Sequence, residues 1–215
     1  MARSIEEEID LQSARRYLYA LGQLLLGSEP TIERLEGADA NLLAEALEIC
    51  GLADDHGLAE GLAALRQDID EADALYTRLF IGPATPEATP WESTYRSNSK
   101  ALFRQETLAV RNAYRAQGLI PQCYPKVADD HVAIELGFMA ALAGRMVEGL
   151  QREDAAFAAG ARQASRTFLD EHLARWIDAY ADDLEAAAPG TAYAAAARIA
   201  SELVGRDAAL LEEGA

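Results

Sequence analysis

Apolar residues recur along this chain at three- and four-residue steps, the period of a helix with one buried face. Leu11, Ala14, Leu18, Leu21 and Leu25 make the first stripe. A short helix is read over 41–50. Leu58, Leu62, Leu65, Ile69, Ala72, Tyr76 and Leu79 keep one face of a long helix. Helix resumes near Leu102, where Phe103, Thr107, Val110 and Tyr114 share a face, and Gly118 is a natural stop. The run 132–150 is apolar almost all round, with Val132, Ile134, Leu136, Phe138, Met139, Leu142 and Met146, which predicts a central, buried helix. Phe168, Leu169, His172, Leu173, Trp176, Ile177 and Tyr180 form another stripe. Pro189 and Gly190 break the chain, and Tyr193, Ala196, Ile199, Leu203 and Leu210 mark a last helix. No strand alternation, hairpin signal or internal repeat is present. The pattern predicts an all-α fold, a single-domain helical bundle over residues 1–215.

Two proline-bearing loops interrupt this pattern. Residues 79–95 read LFIGPATPEATPWESTY, and Pro83, Pro86 and Pro90 forbid regular helix there. A second loop, 119–127, holds Pro121 and Pro125. Loops on a rigid scaffold are where function concentrates. Trp91 and Tyr95 offer large amphipathic faces, Ser93 and Thr94 offer hydrogen bonds, and prolines reduce the entropy lost on binding. That make-up suits a peptide-binding surface. The competing use of Trp91 is as an anchor that folds the loop down onto the bundle, the commoner role of an aromatic residue.

Composition narrows the function. A formal net charge of −17 excludes the clustered cations a nucleic-acid binder needs. It favours cationic partners, although it also serves plain solubility. Cys50 and Cys123 stand far apart without CxxC spacing, so no disulfide framework is expected and a reducing cytoplasm is the better setting. No apolar run approaches the roughly 18 residues of a membrane span, so no stable membrane insertion is expected. Arg15 and Arg16, followed by the apolar stretch 20–26, superficially resemble a twin-arginine export signal. Acidic Glu6, Glu7, Glu8 and Asp10 precede them, no small-residue cleavage site follows, and the helical stripe runs through them. The segment is therefore read as an amphipathic helix.

Catalytic signatures are absent: there is no HExxH, phosphate-binding GxxxxGK[ST], GxSxG or GxGxxG. His56, His131 and His172 lack the paired spacing of a metal site. No catalytic residue, metal or cofactor is expected. His172 and Trp176, on an apolar stripe, read as core, and Met139 and Met146 as core filling. Asp129, Asp130 and His131 precede the central helix. One aspartate there is accounted for as a helix cap. The Asp130–His131 pair is alternatively a binding site for a cationic or hydrogen-bonding ligand.

Taken in order, several motifs resemble a known family. They are Tyr76 with Leu79, Phe80, Ile81, Gly82 and Pro83; then Pro90, Trp91, Glu92 and Ser93; then Asp130 and His131 with Glu135, Leu136, Phe138 and Met139; and Phe168, Leu169, His172, Leu173 and Trp176. Together they resemble the TorD/DmsD family, cytoplasmic chaperones for exported molybdenum redox enzymes, from about residue 76 to 180. The resemblance implies an all-helical fold and no catalysed reaction. It also implies binding of the twin-arginine leader and apo-protein of a molybdenum oxidoreductase, which delays export until molybdopterin is inserted. Carried over by motif, the candidate peptide-binding positions are Leu79, Phe80, Gly82, Pro83, Pro86, Pro90, Trp91, Ser93, Tyr95, Asp130 and His131. A monomer or a helix-exchanged homodimer fits the family. Ala128, where relatives commonly have proline, and the small polar residues between Pro83 and Pro90 depart from its pattern and bear on which client is read. The alternatives are a chaperone for a metalloenzyme without a twin-arginine leader, a small enzyme or nucleotide-dependent switch using Asp130 and His131, and a structural helical adaptor.

Overall fold

A computed structural model describes residues 3–83, 85–96 and 105–212. The expected start of a helix at Leu102 and Phe103, and Ala84 of the first loop, lie outside the described residues. Among the described residues the chain forms eleven α-helices: α1 (Ile5–Gly27), α2 (Ile32–Glu36), α3 (Ala40–Ile49), α4 (Leu58–Gln67), α5 (Ile69–Tyr76), α6 (Glu92–Arg96), α7 (Gln105–Ala116), α8 (Val132–Gln151), α9 (Ala155–Glu171), α10 (Ile177–Ala187) and α11 (Ala192–Glu212). The fold is all-α, and its one β feature among the described residues is an isolated antiparallel bridge between Trp91 and His131.

The centre is α8. Val132, Leu136, Met139, Leu142, Ala143 and Met146 are fully buried along it. Helix α1 lies against it, and glycines let the two backbones approach: a Cβ at Gly27 would collide with the Ala133 methyl carbon. Helix α9 also packs on α8, whereas α11 lies against α1, α10 and α4 through a stripe that includes Tyr193, Ile199 and Leu203. Arg15, the first of the arginine pair, is wholly buried in α1. Its guanidinium grips Asp207 of α11 through two 2.5 Å contacts, and the Tyr19 hydroxyl donates to the same carboxylate at 2.6 Å. Both cysteines are free thiols. Among the described residues no helix is long and apolar enough to cross a membrane.

Two of the expected continuous helices are broken. The stripe from Leu58 to Leu79 is divided at Asp68, whose backbone leaves the helical region (φ −136°, ψ 90°) and whose carboxylate caps α5 by accepting from the Glu71 N–H at 3.0 Å. The buried face survives the break because the side chains keep their side. The stripe from Phe168 to Tyr180 is likewise interrupted: α9 ends at Glu171, a 3₁₀ turn covers Leu173–Arg175, and α10 starts at Ile177. His172 and Trp176 sit at the two joints, both buried, as their core assignment required. Gly118, at φ +66°, stops α7 as expected.

Candidate functional site

Helix α5 runs into a π-helical turn over Thr77–Ile81, closed by the Gly82 N–H donating to the Thr77 carbonyl at 2.8 Å. The extra residue in the turn leaves Leu79 in the core while Phe80 stays half-buried, packed against Tyr76 (4.8 Å between ring centroids) and edge-on to Tyr193 (5.5 Å). Gly82 has φ +98° and ψ −174°, a conformation that residues with a Cβ avoid, so glycine is what permits the exit from the turn. Pro83 is exposed, Pro86 half-buried and Pro90 buried.

The first loop is then fastened to the start of α8. The Pro90 carbonyl accepts from the Val132 N–H at 2.8 Å, and the Glu92 N–H donates to the Asp130 carbonyl at 3.0 Å. Between these bonds Trp91 and His131 face each other, rings edge to face at 5.6 Å. The Ser93 N–H donates to Asp130 Oδ2 at 3.0 Å, so Asp130 caps the short helix α6. The cap of α8 is not an aspartate, contrary to the sequence reading: it is His131, whose Nδ1 accepts from the Ala133 N–H at 3.2 Å. An accepting Nδ1 requires a neutral ring. Burial drives the His131 pKa down to about 4, against the partial opposition of Asp130. Asp129 turns the other way, to the Arg111 guanidinium at 2.6 Å.

Behind this junction lies a buried polar group. Glu92 is fully buried, 2.9 Å from His172 Nδ1 and paired with Arg96, which also donates to the Glu171 carbonyl at 2.8 Å. Glu135 of α8, also fully buried, accepts from the Trp176 indole N–H at 3.2 Å. Tyr95 packs on Trp176 at 5.5 Å and donates its hydroxyl to Asp183 at 2.9 Å.

A cavity of about 680 Å³ opens in front of the junction. Its walls come from the end of α1 (Gln23, Gly27, Ser28), from Tyr76 and Phe80, from α7 and the second loop (Tyr114, Leu119, Ile120, Cys123, Val127), and from α8 (Ala133, Ile134, Gly137, Phe138, Ala141). Among the described residues its lining carries no carboxylate, ammonium or guanidinium. Of the eleven sequence candidates only Phe80 and His131 reach this wall. Pro90, Trp91, Ser93 and Asp130 build the fastening beside it, Leu79 is core, and Tyr95 braces α6 against α10. Asp130 is fully buried with Oδ2 engaged and does not line the cavity, so Asp130 and His131 present no shared face to it. Among the described residues no group of three or more His, Cys, Asp or Glu side chains is arranged to hold a metal ion.

The lining of α8 escaped the sequence reading, yet it left a trace. Ala133, Gly137 and Ala141 repeat every four residues on α8, a row of small side chains along one face that lets α1 come close, since a Cβ at Gly137 would meet the Gln23 side chain.

Comparison with known proteins assigns the chain. The family model described as nitrate reductase delta subunit matches residues 37–182. A chaperone protein TorD of Vibrio cholerae serotype O1 (strain El Tor Inaba N16961) is 30% identical over 196 residues, covering 86% of this chain and 85% of that protein. A perchlorate reductase assembly chaperone protein of Dechloromonas aromatica (strain RCB) is 30% identical over 187 residues, covering 81% and 79%. A solved structure from Archaeoglobus fulgidus, of a candidate redox enzyme maturation protein, shares the fold with a TM-score of 0.54 at 21% identity, covering 88% of this chain and 93% of that one. The chain thus belongs to the TorD/DmsD family of redox-enzyme maturation proteins, which are chaperones and not catalysts.

Proposed function

We propose that this protein is a cytoplasmic chaperone that binds the leader and the apo form of a molybdenum oxidoreductase catalytic subunit, and delays its export until molybdopterin is in place. The observation that carries this reading is the cavity. An uncharged space of about 680 Å³ takes the apolar part of a leader, with Phe80, Ile134 and Phe138 as its apolar contact surface. A leader's adjacent arginines cannot enter such a space without loss of hydration. They stay outside, where the chain's net charge of −17 attracts them. Glu29 is one such carboxylate: it is exposed, follows the wall residue Ser28, and lies near enough to Tyr76 to help raise its phenol pKa to about 12, an effect led by burial.

A second reading is a client without a twin-arginine leader, which the uncharged cavity wall favours because any apolar segment satisfies it. Calorimetric titration with twin-arginine leader peptides from molybdoenzymes of the same genome separates the two. The leading reading expects saturable binding that weakens when Arg-Arg becomes Lys-Lys and disappears when the apolar segment is made polar. Binding indifferent to the arginines selects the second reading, and no binding to any leader by the folded protein rejects the first.

A further inference from the structure

Four carboxylates stand within one buried region behind the Trp91–His131 bridge: Asp129, Asp130, Glu92 and Glu135, none more than 1% exposed. Asp129 pairs with Arg111 and Glu92 with Arg96. Asp130 has the Ser93 N–H, and Glu135 has the Trp176 indole N–H, on Oε2. Glu135 Oε1, like Asp130 Oδ1, has no hydrogen-bond donor in regular geometry, and the strongest charge acting on Glu135 is the Glu92 carboxylate. A bare carboxylate buried beside another is costly without a donor or a cation of its own. A carboxyl group there, carrying its proton on Oε1 and turned toward Glu92, removes the repulsion and gives the orphan oxygen a role as donor.

The group is placed to act on the client site. Glu92 is the first residue of α6; its own N–H is bound to the Asp130 carbonyl, and the residue before it is Trp91. Glu135 is in the first turn of α8, one turn beyond His131. Repulsion between Glu92 and Glu135 therefore acts directly across the bridge that holds loop and helix together.

We propose that a proton shared between Glu135 and Glu92 positions the loop-to-helix junction, and that its loss loosens the Trp91–His131 bridge and weakens the grip on the client. The effect on client binding rests on the function proposed above; the closing of the junction does not. Every neighbouring element contributes to the balance. Arg96 on α6 and His172 at the end of α9 face Glu92, Asp129 and Asp130 precede α8, and the Tyr114 hydroxyl of α7 and the Trp176 indole enclose the rest. Burial and the Glu92 charge both push the Glu135 carboxyl well above the usual carboxylate range, the direction that proton sharing requires.

The test uses the full chain without a client. Nuclear magnetic resonance follows the backbone amides of Ser93 and Val132 and the Trp91 indole across the whole pH range in which the protein stays folded. In the wild type the three signals are expected to move together along one curve. Glu135→Gln, which keeps an acceptor for Trp176 and a donor for Glu92, is expected to flatten that curve with the junction closed. Glu92→Gln, which removes the opposing charge, is expected to move the midpoint to lower pH. Signals that stay flat in the wild type, or a curve unchanged in Glu135→Gln, overturn the proposal. If Glu135→Gln does not fold, the direction of the shift in Glu92→Gln decides by itself. Leader affinity measured across the same pH range separates the two ideas: a junction that titrates in a protein that binds no leader retains this inference and rejects the proposed client.

Discussion

Asp130 and Ser93 are 37 residues apart in sequence, yet the side chain of the first caps the backbone of the second, Ser93 N–H to Asp130 Oδ2 at 3.0 Å. An aspartate placed just before the long helix α8 thus organises the short helix α6. Asp130→Ala is expected to lower stability by about 1–2 kcal/mol, the usual cost of a missing cap, while Asp130→Asn keeps an acceptor oxygen and costs less. Denaturant unfolding of both variants checks this, and the same loss in each would mean that charge rather than capping is at stake.

Trp91 meets His131 edge to face, and the bridge between them closes one side of the cavity. Trp91→Ala is expected to leave the bundle folded and to weaken leader binding about tenfold, since an edge-to-face ring pair contributes about 1 kcal/mol and the loop it secures is freed as well. Unchanged calorimetric affinity would remove the junction from the site.

A different substitution blocks the cavity without touching its edge. Ala141 lines the wall and is half-buried, so Ala141→Trp projects an indole into the space that an apolar peptide segment would occupy. The expected result is a folded protein with leader affinity reduced by about tenfold or more. A cavity-filled variant that binds as the wild type does would place the client elsewhere.

His131 gives stability an acid limit. Its folded pKa of about 4 lies below the ordinary 6.5, so between those values the unfolded chain binds a proton that the folded one does not. The contribution is present above about pH 6.5 and is lost as pH falls toward 4, up to about 3 kcal/mol in all. Glu135 runs the opposite way: its raised pKa gives a contribution that is full at low pH and declines as pH rises. Urea midpoints between pH 4 and 6.5 are expected to fall less in His131→Asn, which keeps an acceptor for Ala133, than in the wild type.

The buried ion pair of Arg15 and Asp207 is structural. Arg15→Ala is expected to cost about 3–5 kcal/mol because it strands Asp207 without its cation, and the joint replacement Arg15→Met with Asp207→Leu is expected to cost less. Denaturant unfolding of the single and double variants measures this.

The helical stripes were legible because burial on one face leaves a period that local sequence carries: every apolar position named in 132–150 except the half-buried Ile134 is core. The break at Asp68 was legible in principle, since Asp68 with Glu71 three residues later is the spacing of a helix start. The break after Glu171 was not, for no glycine or proline marks it and the apolar stripe runs straight through. Which candidate would face the cavity was also hidden. Asp130 and Ser93, or Glu92 and His172, find each other through the folding of distant segments, and no local spacing encodes such a meeting. Motif order brought the right neighbourhood to notice, and geometry then divided it into wall, fastening and core.

Gly27 at the end of α1 and Ala133 at the start of α8 leave no room between them, since a Cβ on the glycine would overlap the alanine methyl. The rear of the cavity therefore cannot recede. Any space beyond the open volume of about 680 Å³ has to come from the other walls, the second loop and the hydrogen-bonded junction at His131. If the cavity takes a client as proposed above, the helix pair sets the fixed limit on its size and the loops the adjustable one.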